Sequence, residues 1–237
     1  MLIQPIKTKI FNEGENLSDF VRAHVKSIPE RSIIVITSKI VALSERRVLE
    51  IKNNKTKVEA IKKESDWAIK TKYTWLTIKD GVVMASAGID ESNAHGKLIL
   101  LPDDSFKAAA RLRAEFKKHY RVKNLGVLIT DSRLFPLRSG VVGVALGYAG
   151  FKGIHDDRGK PDLFGRKIRM SQTDVADSLA TSSVLVMGEA AERQPLALIK
   201  NAPVEFSGKV NPKELLIRPK DDIYVPIFSR LKKAKKD

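Results

Sequence analysis

Gly81–Asn93, G-V-V-M-A-S-A-G-I-D-E-S-N, narrows the choice of fold more than any other stretch of the chain. Val82, Val83 and Met84 are an apolar run bounded by glycine, which predicts a short buried strand. Asp80-Gly81 is a hairpin-type pair, so Tyr73–Ile78 is expected to run antiparallel to it across a tight turn. The side chains then shrink to Ala85-Ser86-Ala87-Gly88, letting backbone or ligand come close, and glycine tolerates a backbone shape that other residues resist. The stretch ends on Asp90, Ser92 and Asn93. A carboxylate and an amide three residues apart, just past a strand, suit a corner facing a hard cation and a phosphate. The same residue types also build ordinary turns.

Other stretches repeat the pattern. Leu125–Ile129 predicts a strand that delivers Asp131 beside Ser132, and Val186–Glu189 places a third acid, Glu189, after a helical pattern over Thr173–Met187. Ile33–Ile36 is an apolar, β-branched strand running into Thr37, Ser38 and Lys39 and then apolar Ile40, Val41 and Leu43. Such a corner suits a nucleotide phosphate, because helix N-termini favour anions. It lacks the glycines of a P-loop.

The remaining elements follow from periodicity. Leu2–Phe11 is expected to be an edge strand beginning after Pro5. Leu17, Phe20, Val21, His24 and Val25 fall at helical spacing, with Asn16 as cap, Pro29 as the stop and His24 as a packed core histidine. Residues 52–70 read as an exposed, lysine-rich helix with loop ends. After Leu98–Leu101 and Pro102, Asp103-Asp104-Ser105 opens a helix whose apolar positions Phe106, Ala109, Leu112, Phe116 and Tyr120 follow the helical repeat. Glycines at 140, 143, 147, 150 and 153 suit either close strand packing or backbone lining a cleft. Asp156–Arg166 is a polar loop suited to substrate contacts, and Asp174 and Asp177, near the start of the Thr173–Met187 helix, offset its dipole. Pro195–Ile199 and Ile223–Pro226 are expected as final strands, and Phe228 onward as a frayed basic tail.

Length and composition remove several function classes. The 237 residues suit one large domain or two small interlocked units and can bury a core without covalent staples. With no cysteine there is no disulfide framework, thiol catalysis or zinc–thiolate site, which fits a reducing cytoplasm. No apolar run approaches the ~18 residues needed to span a bilayer. Lysine and arginine number 43 against 28 acids, a net charge of +15 that invites a nucleic-acid reading. Yet the basic residues are scattered, at Lys7 and Lys9, Lys52–Lys63, Lys117-Lys118, Arg121 and Lys123, and Lys232–Lys236. Four tyrosines and two tryptophans supply no stacking motif of an RNA-binding sheet. The charge is therefore assigned to solubility and to attraction of small anions.

Asp90, Asp131 and Glu189 each follow an apolar element, and two have a hydroxyl or amide nearby in Ser132 and Asn93. Oxygen donors without cysteine or clustered histidine select Mg²⁺ or Mn²⁺ over zinc. Hard cations of this kind bridge nucleotide phosphates and align an attacking group.

Seven ordered motifs carry a family resemblance: A-G-I-D-x-S-N at 87–93, I-T-D-S at 129–132, R-x-G-V-V-G at 138–143, A-L-G-Y-A-G at 145–150, D-x-x-G-x-x-D-L-F-G-R at 156–166, V-A-D at 175–177 and L-V-M-G-E at 185–189. In collinear order over roughly residues 3 to 200, the chain resembles the coenzyme F-420-0:γ-glutamyl ligases. The resemblance implies an α+β fold, a mixed α/β chain of two interlocked subdomains in an intertwined homodimer, spanning residues 1–228 ahead of a basic tail at 229–237. It implies a cytoplasmic enzyme that uses GTP, or ATP in its place, and two divalent metals per site. Such an enzyme would join the amine of L-glutamate to a carboxylate of a deazaflavin precursor through an acyl phosphate, then add further glutamate in γ-linkage.

By motif match, Asp90 and Asp131 would hold one metal, with Asp90 and Asp131 also the catalytic pair, and Ser132 and Glu189 the other. Lys9, Ile10, Phe11, Ser38, Lys39 and Asn93 would contact the nucleotide, and Arg138, Asp156, Gly159, Asp162 and Arg166 the substrate. The chain departs from the family pattern at Thr8–Phe11, Ala42, Leu43, Leu134 and Phe135. These changes leave a folate as an alternative anionic acceptor. A different class, a non-catalytic nucleotide- or nucleic-acid-binding protein, would be expected to lose the metal carboxylates, and none is lost.

Phe135 yields a test of the acceptor. The family pattern has arginine there, which can grip a phosphate with two parallel hydrogen bonds. Its loss disfavours a phosphate-bearing deazaflavin by ~1.5–3 kcal/mol if the position faces the acceptor. Phe135→Arg is expected to raise turnover with the deazaflavin precursor relative to folate; an unchanged ratio removes Phe135 from acceptor choice.

Overall fold

The computed structural model describes residues 1–51, 54–224 and 226. The predicted tail from Phe228, with Lys232–Lys236, lies outside the described residues, as does Lys52. In chain order the first half comprises β1 (Leu2–Ile6), α1 (Leu17–His24), β2 (Ser32–Thr37), α2 (Ser38–Ser44), β3 (Val48–Glu50), α3 (Asn54–Glu64), β4 (Trp67–Lys70), β5 (Trp75–Lys79), β6 (Val82–Ala85) and β7 (Lys97–Ile99). The second half comprises α4 (Ser105–Tyr120), β8 (Leu125–Leu134), β9 (Val141–Ala149), β10 (Ile154–Asp156), β11 (Gln172–Asp174), α5 (Val175–Met187) and β12 (Leu196–Lys200). The α+β class expected from the sequence is what the chain adopts. No helix among the described residues is long and apolar enough to cross a membrane.

A five-stranded mixed sheet in the order β1-β12-β2-β8-β9 forms the frame. Its only parallel pairing joins β2 to β8, with Ser32 opposite Leu125 and Thr37 opposite Thr130. Within these strands Ile33–Ile36 and Val127–Ile129 are unbroken Val/Ile/Leu runs, as strands covered on both faces carry. One face packs against α1, α2 and α4 through Ile34, Ile36, Val127 and Ile129, with Phe20, Leu112 and Phe116. The other packs against α5 through Ile33, Val35 and Leu128, with Ala176, Leu179 and Ala180. Between α2 and α4 the chain inserts a smaller layer. It holds the antiparallel sheet β4-β5-β6 and the ribbon β3-β7, with Ile61 of α3 packed on Ile89, Leu98 and Leu100.

Several elements follow local chemistry. Asn16 caps α1 by accepting from the Asp19 N–H, and Asp104 caps α4 by accepting from the Lys107 N–H. The β5–β6 hairpin turns at Asp80 and Gly81, both at positive φ (52° and 77°), as a type I′ turn requires.

Other expectations are corrected. β1 contains Pro5 instead of starting after it, because an edge strand can place a residue without an N–H on its open side. α1 ends at His24, well before Pro29. His24 is half-buried against Phe20, bonded through Nδ1 to the Phe20 carbonyl and accepting from the Lys9 N–H at Nε2. Among the described residues the lysine-rich segment is helical over Asn54–Glu64; the strand β4 follows, and β5 begins at Trp75, leaving Tyr73 exposed. Val82 and Val83 are more than a third exposed and of the three only Met84 is buried, since β6 is an edge strand of the small sheet. The start of the predicted helix at Thr173 is the end of β11. Ile223 and Tyr224 lie in a turn where a strand was expected, and Val225 is outside the described residues.

The glycine run resolves toward packing. A Cβ at Gly143 would lie 2.5 Å from the Ala180 carbonyl oxygen of α5, and one at Gly147 would lie 2.4 Å from the Ser105 backbone at the start of α4. Helices on opposite faces of the sheet thus close onto β9 where side chains are missing. Between these glycines the β8–β9 register slips, from Ile129 opposite Gly147 to Thr130 opposite Ala145, so Leu146 is the extra residue of a bulge. Asp177 does more than offset a dipole, because its Oδ1 accepts from the Ala145 N–H beside that bulge (2.8 Å). Gly147→Ala is expected to destabilise the protein by about 1–3 kcal/mol through overpacking, read as a lower denaturant midpoint. An unchanged midpoint would mean that α4 does not rest on β9 this closely.

Candidate active site

The parallel pairing of β2 with β8 ends at Thr37 and Thr130, and open α/β sheets characteristically bind ligands beyond the carboxyl ends of parallel strands. β2 passes at once into α2, which begins with Ser38 and Lys39, while β8 continues through Asp131 and Ser132. The Ser38 hydroxyl lies 3.3 Å from Asp131 Oδ1 as its donor.

Asp90 reaches the same corner from the inserted layer. Its approach is a strained turn, with Ser86 and Ala87 at φ of 50° and 54°, conformations that are costly for residues with a Cβ. The buried Thr77 hydroxyl holds this turn, accepting from the Ala87 N–H (2.8 Å) and donating to the Met84 carbonyl (2.7 Å). Gly88 follows at φ 73°, where any Cβ would meet the Leu101 side chain at 2.7 Å. Asp90 is then pinned by backbone bonds to Ile99 in both directions.

The Asp90 carboxylate is organised before any ligand arrives. Oδ1 accepts from the Ser92 N–H (2.7 Å), and Oδ2 accepts from the Ser92 hydroxyl (2.8 Å) and the Lys39 ammonium (2.7 Å). Lys39 also donates to the Ser92 carbonyl and hydroxyl, both at 3.0 Å. Burial raises the Asp90 pKa, but Lys39 and Ser92 outweigh it and hold the carboxyl below its ordinary value. Asp131 goes the other way. Burial pushes it up, the negative charge of Asp90 adds to the push, and Arg133, the Ser132 N–H and Ser38 oppose it without prevailing.

Ser132 points to the opposite face of β8 from Asp131, as alternation along a strand requires. There its hydroxyl donates to Glu189 Oε2 (3.0 Å), just past the end of α5. The four predicted metal residues therefore come together as two pairs on either side of β8. Among the described residues, no three acidic or histidine side chains converge as a closed metal cage.

The other predicted contacts are distributed. Ile10 is exposed, whereas the Phe11 side chain is buried edge-on against Phe20, leaving only its backbone available to a ligand. Lys9 pairs at long range with Glu15 (3.6 Å), and Asn93 is exposed at φ 52°. Arg138 lies in the exposed connection between β8 and β9. Asp156, Gly159, Asp162 and Arg166 gather on the β10–β11 hairpin, bonded within it: Asp156 to Arg158, Gly159 to Ile168, and Asp162 to the Phe164 and Arg166 N–H groups. A cavity of 410 Å³ lies elsewhere, between β1, the end of α1 and β12, and none of the predicted site residues borders it. Sequence reasoning gave Ser92 no role, although its place two residues after Asp90 is a signal for a carboxylate-bound turn.

The chain is matched over residues 5–201 by the family described as F420-0:Gamma-glutamyl ligase. It belongs to that family. Similar curated proteins include a Coenzyme F420:L-glutamate ligase of Methanococcus maripaludis, 32% identical over 231 residues, covering 90% of this chain and 92% of the relative. The protein of the same name from Methanocaldococcus jannaschii is 33% identical over 238 residues, covering 92% and 93% respectively. That from Methanopyrus kandleri is 29% identical over 242 residues, covering 93% and 95%.

For a chain of the F420-0:gamma-glutamyl ligase family, the donors fit a hard cation. Asp90 and Asp131 supply oxygen only, from two separate elements, and one or two carboxylates with phosphate and water completing the shell is the usual Mg²⁺ arrangement. Asp131 is an anion disfavoured by burial and by a neighbouring anion, a state that an added positive charge relieves.

That electrostatic state is testable without substrate. A carboxyl whose folded pKa is raised contributes stability below its unfolded pKa and loses it as pH rises through the folded value. Asp131→Asn is therefore expected to raise the denaturant midpoint of the metal-free protein at pH 8, with the gain vanishing toward pH 3. A midpoint lowered at pH 8 would show that Asp131 is a structural anion.

Proposed function

We propose that this chain is a nucleotide-dependent γ-glutamyl ligase. In this reading it joins the amine of L-glutamate to a carboxylate of a coenzyme F420-0-like acceptor, with GTP as phosphoryl donor. The observation that carries the proposal is the juxtaposition of Asp90, Asp131, Ser38 and Lys39 where the β2–β8 pairing ends, in a chain of this family. The relatives' names supply the acceptor class.

In the proposed reaction the acceptor carboxylate attacks the terminal phosphorus of the nucleotide, and the nucleoside diphosphate leaves. The glutamate amine then attacks the acyl carbon, phosphate leaves, and the amine loses a proton. Two divalent cations, one at Asp90 and Asp131 and one at Ser132 and Glu189, would neutralise phosphate charge when bound. The protein's own part is positional. The Ile99 pairing and Ser92 fix the Asp90 carboxylate, and Ser38 fixes Asp131. Lys39 holds a positive charge on Asp90 that can turn to a phosphate once Asp90 has another partner. The exposed Asn93 and the backbone near Lys9–Phe11 are assigned to the nucleotide, and Arg138 with the β10–β11 hairpin to the acceptor.

A homodimer also belongs to this reading. Leu134, Leu137, Val141, Leu163, Phe164 and Leu185 are all exposed on the β8–β9 connection, the β10–β11 hairpin and the end of α5, where a second subunit would cover them.

The deciding experiment incubates the protein with GTP, Mg²⁺ or Mn²⁺, L-glutamate and a panel of deazaflavin and folate acceptors, with products read by mass. Asp90→Ala and Asp131→Ala are each expected to cut ligation by roughly 10²-fold or more, with circular dichroism unchanged. Either variant ligating at the parental rate places the site elsewhere.

A further inference from the structure

One charged side chain at this corner has no assignment. Arg133 follows Asp131 by two residues on β8, so alternation places it on the same face of the strand. It is 7% exposed, and its Nε and Nη1 are buried without a hydrogen-bond partner. Burial disfavours its charge, and Asp131, Asp177 and Asp80 lie within electrostatic reach and offset that only in part. None of them accepts its N–H groups.

A guanidinium in this state is costly, because buried N–H donors lose water and gain nothing in return. Folded proteins leave few such groups, and those they leave call for an explanation. Arginine is also the side chain whose planar donors match phosphate oxygens in pairs. We infer that Arg133 is a binding residue that receives phosphate oxygens of a reactant at the Asp131 corner, its unfilled donors being reserved for that anion. The inference rests on the proposed ligase reading, in which both the nucleotide and the acceptor can bring phosphate there.

The experiment separates the two sources and separates this inference from the reading beneath it. Parent, Arg133→Met and Arg133→Lys are titrated in EDTA with GTP, inorganic tripolyphosphate and the phosphate-bearing deazaflavin acceptor, and the ligand-free stability of each is measured. Arg133→Met is expected to bind one class at least tenfold more weakly, while its ligand-free midpoint rises because unfilled donors are gone. Arg133→Lys retains charge without the paired geometry and is expected to fall between. Loss of GTP and tripolyphosphate assigns the anion to the nucleotide, and loss confined to the acceptor assigns it to the acceptor. Steady-state KM values in Mg²⁺ are expected to rise for the same reactant. The inference is overturned if all affinities stay within twofold of the parent. It is equally overturned if Arg133→Met lowers the midpoint or prevents folding, since Arg133 is then a structural cation. A parent that binds nucleotide but ligates no acceptor tells against the ligase reading and leaves the Arg133 measurement intact.

Discussion

The parallel pairing of β2 with β8 is the contact on which the molecule depends. Six residue pairs, from Ser32–Leu125 to Thr37–Thr130, hold two segments almost a hundred residues apart in sequence. Parallel strands need long connections, and here the connection contains α2, the whole inserted layer and α4. Both strands bury both faces, so the pairing joins the two large core clusters as well as the backbone. Its register also sets the chemistry. With Thr37 opposite Thr130, the next residues are Ser38 and Asp131, and they meet because the strands are aligned in this way and no other.

The inserted layer completes the corner through strain and its compensation. Positive φ at Ser86 and Ala87 turns the chain sharply enough to bring Asp90 back toward α2, and Thr77 satisfies the backbone of that turn. The ion pair between Lys39 and Asp90 then ties the main sheet to the insertion. Residues so placed are held by packing on both sides, which is what a preorganised polar site requires. The result has opposite electrostatics at its two carboxylates. Asp90 is over-provided with donors, whereas Asp131 is short of them. Two carboxylates with different environments can serve different partners at one site.

β9 shows how the frame tolerates close approach from both faces. Gly143 admits the backbone of α5 and Gly147 that of α4. The bulge at Leu146 falls between them, with Asp177 satisfying an N–H beside it. A functional corner at one end of β8 thus rests on a strand whose own side chains have been removed wherever a helix comes down.

The sequence by itself determined the elements whose cause is local. The Asn16 and Asp104 caps, the Asp80-Gly81 hairpin, the apolar runs of β2 and β8, and the helical stripe of α4 are properties of neighbouring residues, and each formed as its neighbours dictate. The apolar elements leading to Asp90, Asp131 and Glu189 were legible as well, although the strand expected to stop at Ile129 runs on through Asp131 and Ser132 to Leu134 because β9 pairs with it that far. Tertiary structure decided what depends on residues far apart. β4 escaped notice because its Trp67–Lys70 run is short and half-exposed, and a partner strand, not periodicity, makes it a strand. Pro5 could enter β1 only because β12 left that strand an open edge. Whether the glycines near 147 were for ligand or for packing turned on where α4 and α5 came to rest. The division of four metal-type residues into two pairs, and the enclosure of Arg133 without a partner, follow from the alternation of β8 once its two faces have been covered, a condition that no local stretch of sequence contains.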